Sequence, residues 1–414
     1  MYVLIVIAIL FSALSGIAGK LSANSTDLSS LTILPVIGIF FAYLIRLLKE
    51  KGIINYKGIY WLVFLNILFI FVGMFTTNFN IFSVKFVIYY VFIIVLLNIL
   101  DKDMLIKVCK VLMYVSILLS LDIIFQGVKL LGTGVDLVNL RSYTLMDKQY
   151  YTVLYAIVLP TSFWFYFTSK KLKDLVILIV SIIACILFMQ IKTLLISIPL
   201  SIYLILFITN GYSRKKLFMY GIVLLLIFVY LIITGNEFIN QFYVILYYIF
   251  GMSDKIPLDY LKYVDTLIIR LEIIRNAMSH FSHNVLFGIG YGNYADIAKG
   301  DTIKSIARNI TYDLPAEAES GVLLLLVEGG IIGLLLHFSV YVYIFRGFIK
   351  NNNKDDLIQN IITSIVLVNG IANIFQDNLN LLYWFFLGAG IYVNSGKTIA
   401  IPQLKKSFNP HTKN

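Results

Sequence analysis

Long uncharged runs alternate along this chain with short polar segments. Met1–Ile17 and Gly58–Phe75 contain no charged residue, and a span of about 20 helical residues crosses a hydrocarbon core of about 30 Å. Helices are the expected form, because lipid offers no partner for an open backbone amide. The alternation of an outer-membrane strand is absent. The pattern predicts helices at 1–18, 29–45, 58–75, 82–100, 109–126, 149–168, 174–190, 193–209, 217–234, 321–345, 357–375 and 379–394. The expected fold class is therefore an all-α polytopic membrane protein with about 12 transmembrane helices. Met1–Ala18 lacks the basic leader of a signal peptide and reads as the first helix.

Composition agrees with the pattern. Of 414 residues, 60% are apolar and 13% are charged, against roughly 25% charged in soluble domains. The net charge of +11 would suit a nucleic-acid partner, but its distribution argues for a membrane. On alternate connecting segments lie Arg46 to Lys57, Lys102 to Lys110, Lys170 to Lys173, Arg214 to Lys216, Arg346 to Lys354 and the tail from Lys397. Together they hold 20 of the 33 Lys and Arg residues. An excess of Lys and Arg in short loops marks the cytoplasm, so both termini are expected there. The division that follows is 1–234 as helices one to nine, 235–320 as a long extracytoplasmic loop, 321–394 as helices ten to twelve, and 395–414 as a cytoplasmic tail. Cys109 and Cys185 fall in or beside apolar segments and suggest neither a disulfide framework nor a metal site.

An insertion of this size among tight turns is usually functional. Within it, Phe238–Phe250 is apolar and aromatic but short for a span, suiting either the outer interface or a buried loop helix. Asp259–His280 has helical spacing, with Arg270 near Glu272 and Arg275 beyond. The segment Asn284–Tyr294 (NVLFGIGYGNY) places Gly288, Gly290 and Gly292 two apart. A dinucleotide fingerprint needs a preceding strand within a βαβ unit, so a glycine-dependent turn is the better reading. His280 and His283 share a helix face without a third ligand, and His337 reads as an interior histidine. Glu328 lies inside an apolar helix, in Val327-Glu-Gly-Gly330. It is either a functional group facing the bundle interior or part of a close helix contact through Gly329, Gly330 and Gly333.

The outward cations Arg141, Lys192, Arg270, Arg275 and Arg308 form the chemical constellation, with Glu317 and Glu319 at the mouth of helix ten. Cations that hold a pyrophosphate, beside a carboxylate that takes a proton from a hydroxyl, would make a glycosyl-transfer site. Solvated charges without a role are the alternative.

From Arg270 onward the chain resembles the Wzy-type polysaccharide polymerase and O-antigen ligase family of polytopic glycosyltransferases. The resemblance rests on Arg270, on Asn284–Tyr294 as a "PLFGxGxGNF" turn, on Ala316–Ser320 as a polar element, and on Leu323–Gly333 as "LxxLxExGxxG". Ile191-Lys192-Thr193 stands where the family often carries "SR". Two departures are visible: Val285 replaces the expected proline, and Glu317-Ala-Glu-Ser320 stands where ligases usually carry "HxHN". The resemblance implies transfer of a glycan from polyprenyl pyrophosphate to another lipid-linked repeat unit, on the outer face of the cytoplasmic membrane. A ligase using a different acceptor is the variant within the family, and a flippase of lipid-linked oligosaccharide is the alternative outside it. Lys192, Arg270, Arg275, Arg141 and Arg308 would bind pyrophosphate, and Glu319 or Glu317 would be the base. No cofactor or metal is implied. The implied partners are the lipid-linked donor and acceptor, the bilayer, and flippase and chain-length regulator proteins, with no nucleic acid.

Overall fold

A computed structural model describes residues 2–21, 33–50, 59–76, 81–133, 140–146, 148–189, 191–209, 221, 261–294, 302–304, 311–313, 320–351, 356–375 and 379–395. The helices are α1 (Tyr2–Leu21), α2 (Ile33–Glu50), α3 (Ile59–Thr76), α4 (Ile81–Ile99), α5 (Lys102–Gly132) and α6 (Leu140–Tyr143). They continue with α7 (Lys148–Ser169), α8 (Leu172–Ile182), extended by a π-helical turn at Ile183–Phe188, and α9 (Lys192–Ile208). After these come α10 (Leu261–His283), α11 (Gly321–Lys350), α12 (Leu357–Phe375) and α13 (Leu381–Asn394). Apart from Gly221, the expected helix at 217–234 lies outside the described residues, as does the segment Phe238–Phe250. Every other expected helix has a counterpart.

Among the described residues, four helical stretches are long and apolar enough to cross a membrane: Lys102–Gly132, Tyr150–Ser169, Gly321–Lys350 and Leu357–Ile374. The chain is a multi-pass membrane protein. Two corrections to the expected pattern follow from local chemistry. Helix five begins at Lys102 rather than at 109, because the Asp101 carboxylate caps it by accepting from Met104 N at 2.6 Å. A side-chain cap satisfies a backbone amide that would otherwise face solvent unpaired, so Lys102, Lys107 and Lys110 stand on a helix and not in a loop. The all-α expectation misses one short antiparallel hairpin, β1 (Thr302–Lys304) with β2 (Thr311–Asp313), which pairs Ile303 with Tyr312.

The interior is built around α13, in which every residue but Val393 is buried. It packs against α4 and α12, and α12 against α7 and α9. Buried polar side chains tie these helices across their apolar faces. Trp164 Nε1 donates to Ser364 Oγ at 2.7 Å, and Gln359 Nε2 to Asn394 Oδ1 at 2.9 Å. His337 joins three helices, with Nδ1 at 2.9 Å from the Tyr90 hydroxyl and Nε2 at 2.6 Å from that of Tyr383. Tyr383 and Tyr341 are hydrogen-bonded at 2.8 Å. Such bonds contribute about 0.6 kcal/mol each on average between membrane helices, so together they fix register more than they supply stability.

Candidate functional site

The two glycine-containing motifs of the sequence form one structural unit. Gly330 has φ 63° and ψ −169° inside α11, a conformation that L side chains rarely adopt. The break interrupts the helical ladder and strands backbone groups on both sides of it. The turn after α10 takes up those groups. Ile289 N donates to Val327 O at 3.0 Å and Gly290 N to Glu328 O at 2.9 Å. In the other direction, Ile331 N donates to Val285 O at 2.9 Å and Ile332 N to Leu286 O at 3.2 Å. An unpaired buried amide costs about 1–3 kcal/mol, so the kink and the turn each remove the other's largest penalty.

Glycine is required at the contact itself. Gly288, at φ 70°, and Gly330 face each other so closely that a Cβ on Gly288 would lie 2.5 Å from Gly330 N. A Cβ on Gly330 would lie 2.6 Å from Gly288 N and would also overlap Leu286 O. Gly290 and Gly292 also have positive φ, at 91° and 81°, so the glycine-dependent turn is present as expected.

Glu328 is 2% exposed, and its Oε1 accepts from Tyr294 N at 3.2 Å. It therefore fastens the end of the turn to the kink with its side chain as well as its carbonyl. The Tyr291 ring fits under Gly329 and Gly333, where an added Cβ would meet its hydroxyl at 2.6 and 2.8 Å. It packs against Phe86 and Phe69, with centroids 5.0 and 6.4 Å away, and its carbonyl accepts from Ser83 Oγ. Burial, with the nearby Glu328 carboxylate adding to it, holds the Tyr291 phenol above its usual range, so the hydroxyl stays neutral.

This unit fixes where α10 stands. Both α10 and the first turns of α11 run toward the kink, and they share a small core of Ala277, Tyr294 and Val327, flanked by Phe281, Ile289, Leu323 and Leu324. Arg270 precedes Ala277 by seven residues, and Ser320 precedes Val327 by seven, about 10 Å of helix in each case. Arg270 and the start of α11 therefore lie toward the same end of the pair. Ser320 caps α11, accepting from Leu323 N at 3.2 Å and donating to Ile374 O at 2.9 Å. The α11 N-terminus, the positive end of a helix dipole, is thereby anchored to α12.

The predicted residues distribute as follows. Arg270 and Arg275 are exposed on α10. Glu272 pairs with Arg275 at 3.7 Å; an exposed pair of this kind adds at most about 1 kcal/mol. Lys192 is the first residue of α9, close after the π-helical turn, and Arg141 lies in α6; both side chains lie outside the described residues. So do Glu317, Glu319 and Arg308. His283 Nδ1 is 2.8 Å from Ser279 O. Among the described residues, no group of three or more His, Cys, Asp or Glu is placed to hold a metal ion.

Neither the kink nor its partnership with the turn follows from the hydrophobic pattern of the chain. The available signal was the pair of adjacent glycines at 329 and 330 within an apolar helix, following three alternating glycines 40 residues earlier. No curated protein matches the chain. A family model described as O-antigen ligase matches residues 175–338, which run from α8 through the turn and the kink to the middle of α11. Over those residues the chain carries the O-antigen ligase family domain, the family its motifs resemble.

Proposed function

We propose that this protein is a polymerase of a cell-surface polysaccharide, acting on the outer face of the cytoplasmic membrane. It moves a glycan from polyprenyl pyrophosphate onto another lipid-linked repeat unit. The observation that carries this reading is the family match over 175–338, whose span takes in both glycine motifs and α10. The placement of the basic segments supports an outward-facing 235–320 loop. In the reaction, the acceptor hydroxyl loses a proton to the base and attacks the anomeric carbon. The bond to the pyrophosphate oxygen breaks, and polyprenyl pyrophosphate leaves as the anion. Lys192 and Arg270 neutralise that leaving group, with Arg141, Arg275 and Arg308 contributing to the basic surroundings, and Glu319 takes the proton with Glu317 as its substitute. Glu328 acts from behind, by holding the turn that positions α10.

A ligase is the second reading, favoured by the description of the matching family. Against it stands Glu317-Ala-Glu-Ser320, which replaces the histidine-containing element usual in ligases. Purified protein in vesicles, given only lipid-linked repeat units, separates the two. A polymerase builds a ladder of lengthened lipid-linked chains. A ligase builds none until a chemically different acceptor is added, and translocation of the substrate without any new linkage would point to a flippase.

A further inference from the structure

An apolar groove of about 670 Å³ runs between α11 and α12, within the range of ligand sites at 300–1,000 Å³. Phe338 and Ile374 lie at one end, Tyr341, Phe345 and Leu367 along the walls, and Arg346 and Lys350 at the other end. Gly370 supplies part of the floor, since a Cβ there would meet the Tyr341 ring at 2.8 Å. Several lining residues are left open, including Val342 at 63% and Ile349 at 62% exposed.

Two dimensions identify an occupant. From Phe338 to Lys350 is about 18 Å of helix, more than half of a hydrocarbon core of about 30 Å. That suits one acyl chain lying within its own leaflet. From the kink at Gly330 to Arg346 is about 24 Å of helix, so the cationic end of the groove and the kinked site lie near opposite faces of the membrane. A ligand whose anionic end sits on Arg346 and Lys350 therefore enters from the leaflet opposite that site. A polyprenyl pyrophosphate being used at the kinked site would carry its charge at the wrong end. Basic pockets between helices on the cytoplasmic side recognise anionic lipid headgroups, and two cations one turn apart supply that chemistry here.

We propose that this groove binds one anionic phospholipid, with an acyl chain between α11 and α12 and its phosphate on Arg346 and Lys350. The choice of a phospholipid over the polyprenyl carrier rests on the proposed function, and the site is tested without any glycosyl transfer. Purified full-length protein is titrated with phosphatidylglycerol, with phosphatidylcholine of the same chains, and with polyprenyl phosphate, and bound lipid is counted by native mass spectrometry. Wild-type protein retains phosphatidylglycerol about tenfold to thirtyfold better than phosphatidylcholine, the worth of two near-surface cations. The double variant Arg346→Gln/Lys350→Gln loses that preference, and Val342→Trp, which fills the open side, weakens both phospholipids. Adducts of a photoreactive phosphatidylglycerol fall between Phe338 and Lys350 and between Leu367 and Ile374. Equal retention of the two phospholipids, an unchanged preference in the double variant, adducts elsewhere on the chain, or displacement by an equal concentration of polyprenyl phosphate would each overturn the assignment.

Discussion

Replacing Gly330 by alanine strikes the contact on which the turn and the kinked helix depend. At φ 63° and ψ −169°, a residue with a Cβ is strained by about 1–3 kcal/mol. The added carbon also overlaps Leu286 O and approaches Gly288 N to 2.6 Å. If the backbone yields by straightening the helix, the turn is expelled and four hydrogen bonds between 285–290 and 327–332 are lost. At about 0.5–1.5 kcal/mol net for each bond, that adds about 2–6 kcal/mol. Either route is large against a typical folding free energy of about 5–15 kcal/mol. Gly73, inside α3, is the control, since nothing lies within 4 Å of a Cβ built there. Alanine is the better helix former, so Gly73→Ala should melt at or slightly above wild type. Thermal unfolding of purified protein in detergent reads both variants. Gly330→Ala should lose many degrees and Gly288→Ala nearly as many. A Gly330→Ala protein with wild-type melting would refute the interlocked turn and kink.

Three further outcomes are expected. Cysteines at Asn139 and Ala298 should react with an impermeant maleimide from outside, while those at Lys171 and Lys354 react only after permeabilisation; labelling of the Ala298 site from the cytoplasm would reverse the proposed orientation. Lys192→Ala and Arg270→Ala should each slow chain extension by about 10²–10³-fold, the usual cost of removing a donor to developing charge, whereas Lys192→Arg retains activity; wild-type rates in both alanine variants would remove these residues from the site. Glu319→Gln should cost about 10²–10⁴-fold if the carboxylate is the base, whereas a helix-capping role would tolerate Glu319→Ser with activity largely kept.

The helices were legible because each buried span is a long apolar run. Ile81–Ile99 and Leu357–Phe375 begin and end within a residue or two of where composition changes. The start of helix five is obscured in the sequence because three lysines resemble a loop, although Asp101 three residues before Met104 is a capping signal. The positive-φ turn was legible from its alternating glycines, but its partner was not. Backbone bonds between residues about 40 positions apart leave no local periodicity, and the break at Gly330 looks in sequence like any small residue at a helix contact. The links from His337 to Tyr90 and Tyr383 were invisible for the same reason, since the residues lie on three different helices. What the motifs did convey was their order along the chain, and the matched family domain spans that same order.

Transfer of a lipid-linked glycan with loss of its pyrophosphate carrier leaves a stoichiometric trace. The most direct measurement counts polyprenyl pyrophosphate released against glycosidic linkages formed, using purified protein in vesicles supplied only with lipid-linked repeat units. One carrier should be released for each new linkage, with every lengthened chain still attached to lipid, and both counts should fall together in Arg270→Ala. Carrier release without new linkages, or lengthening without carrier release, would contradict it.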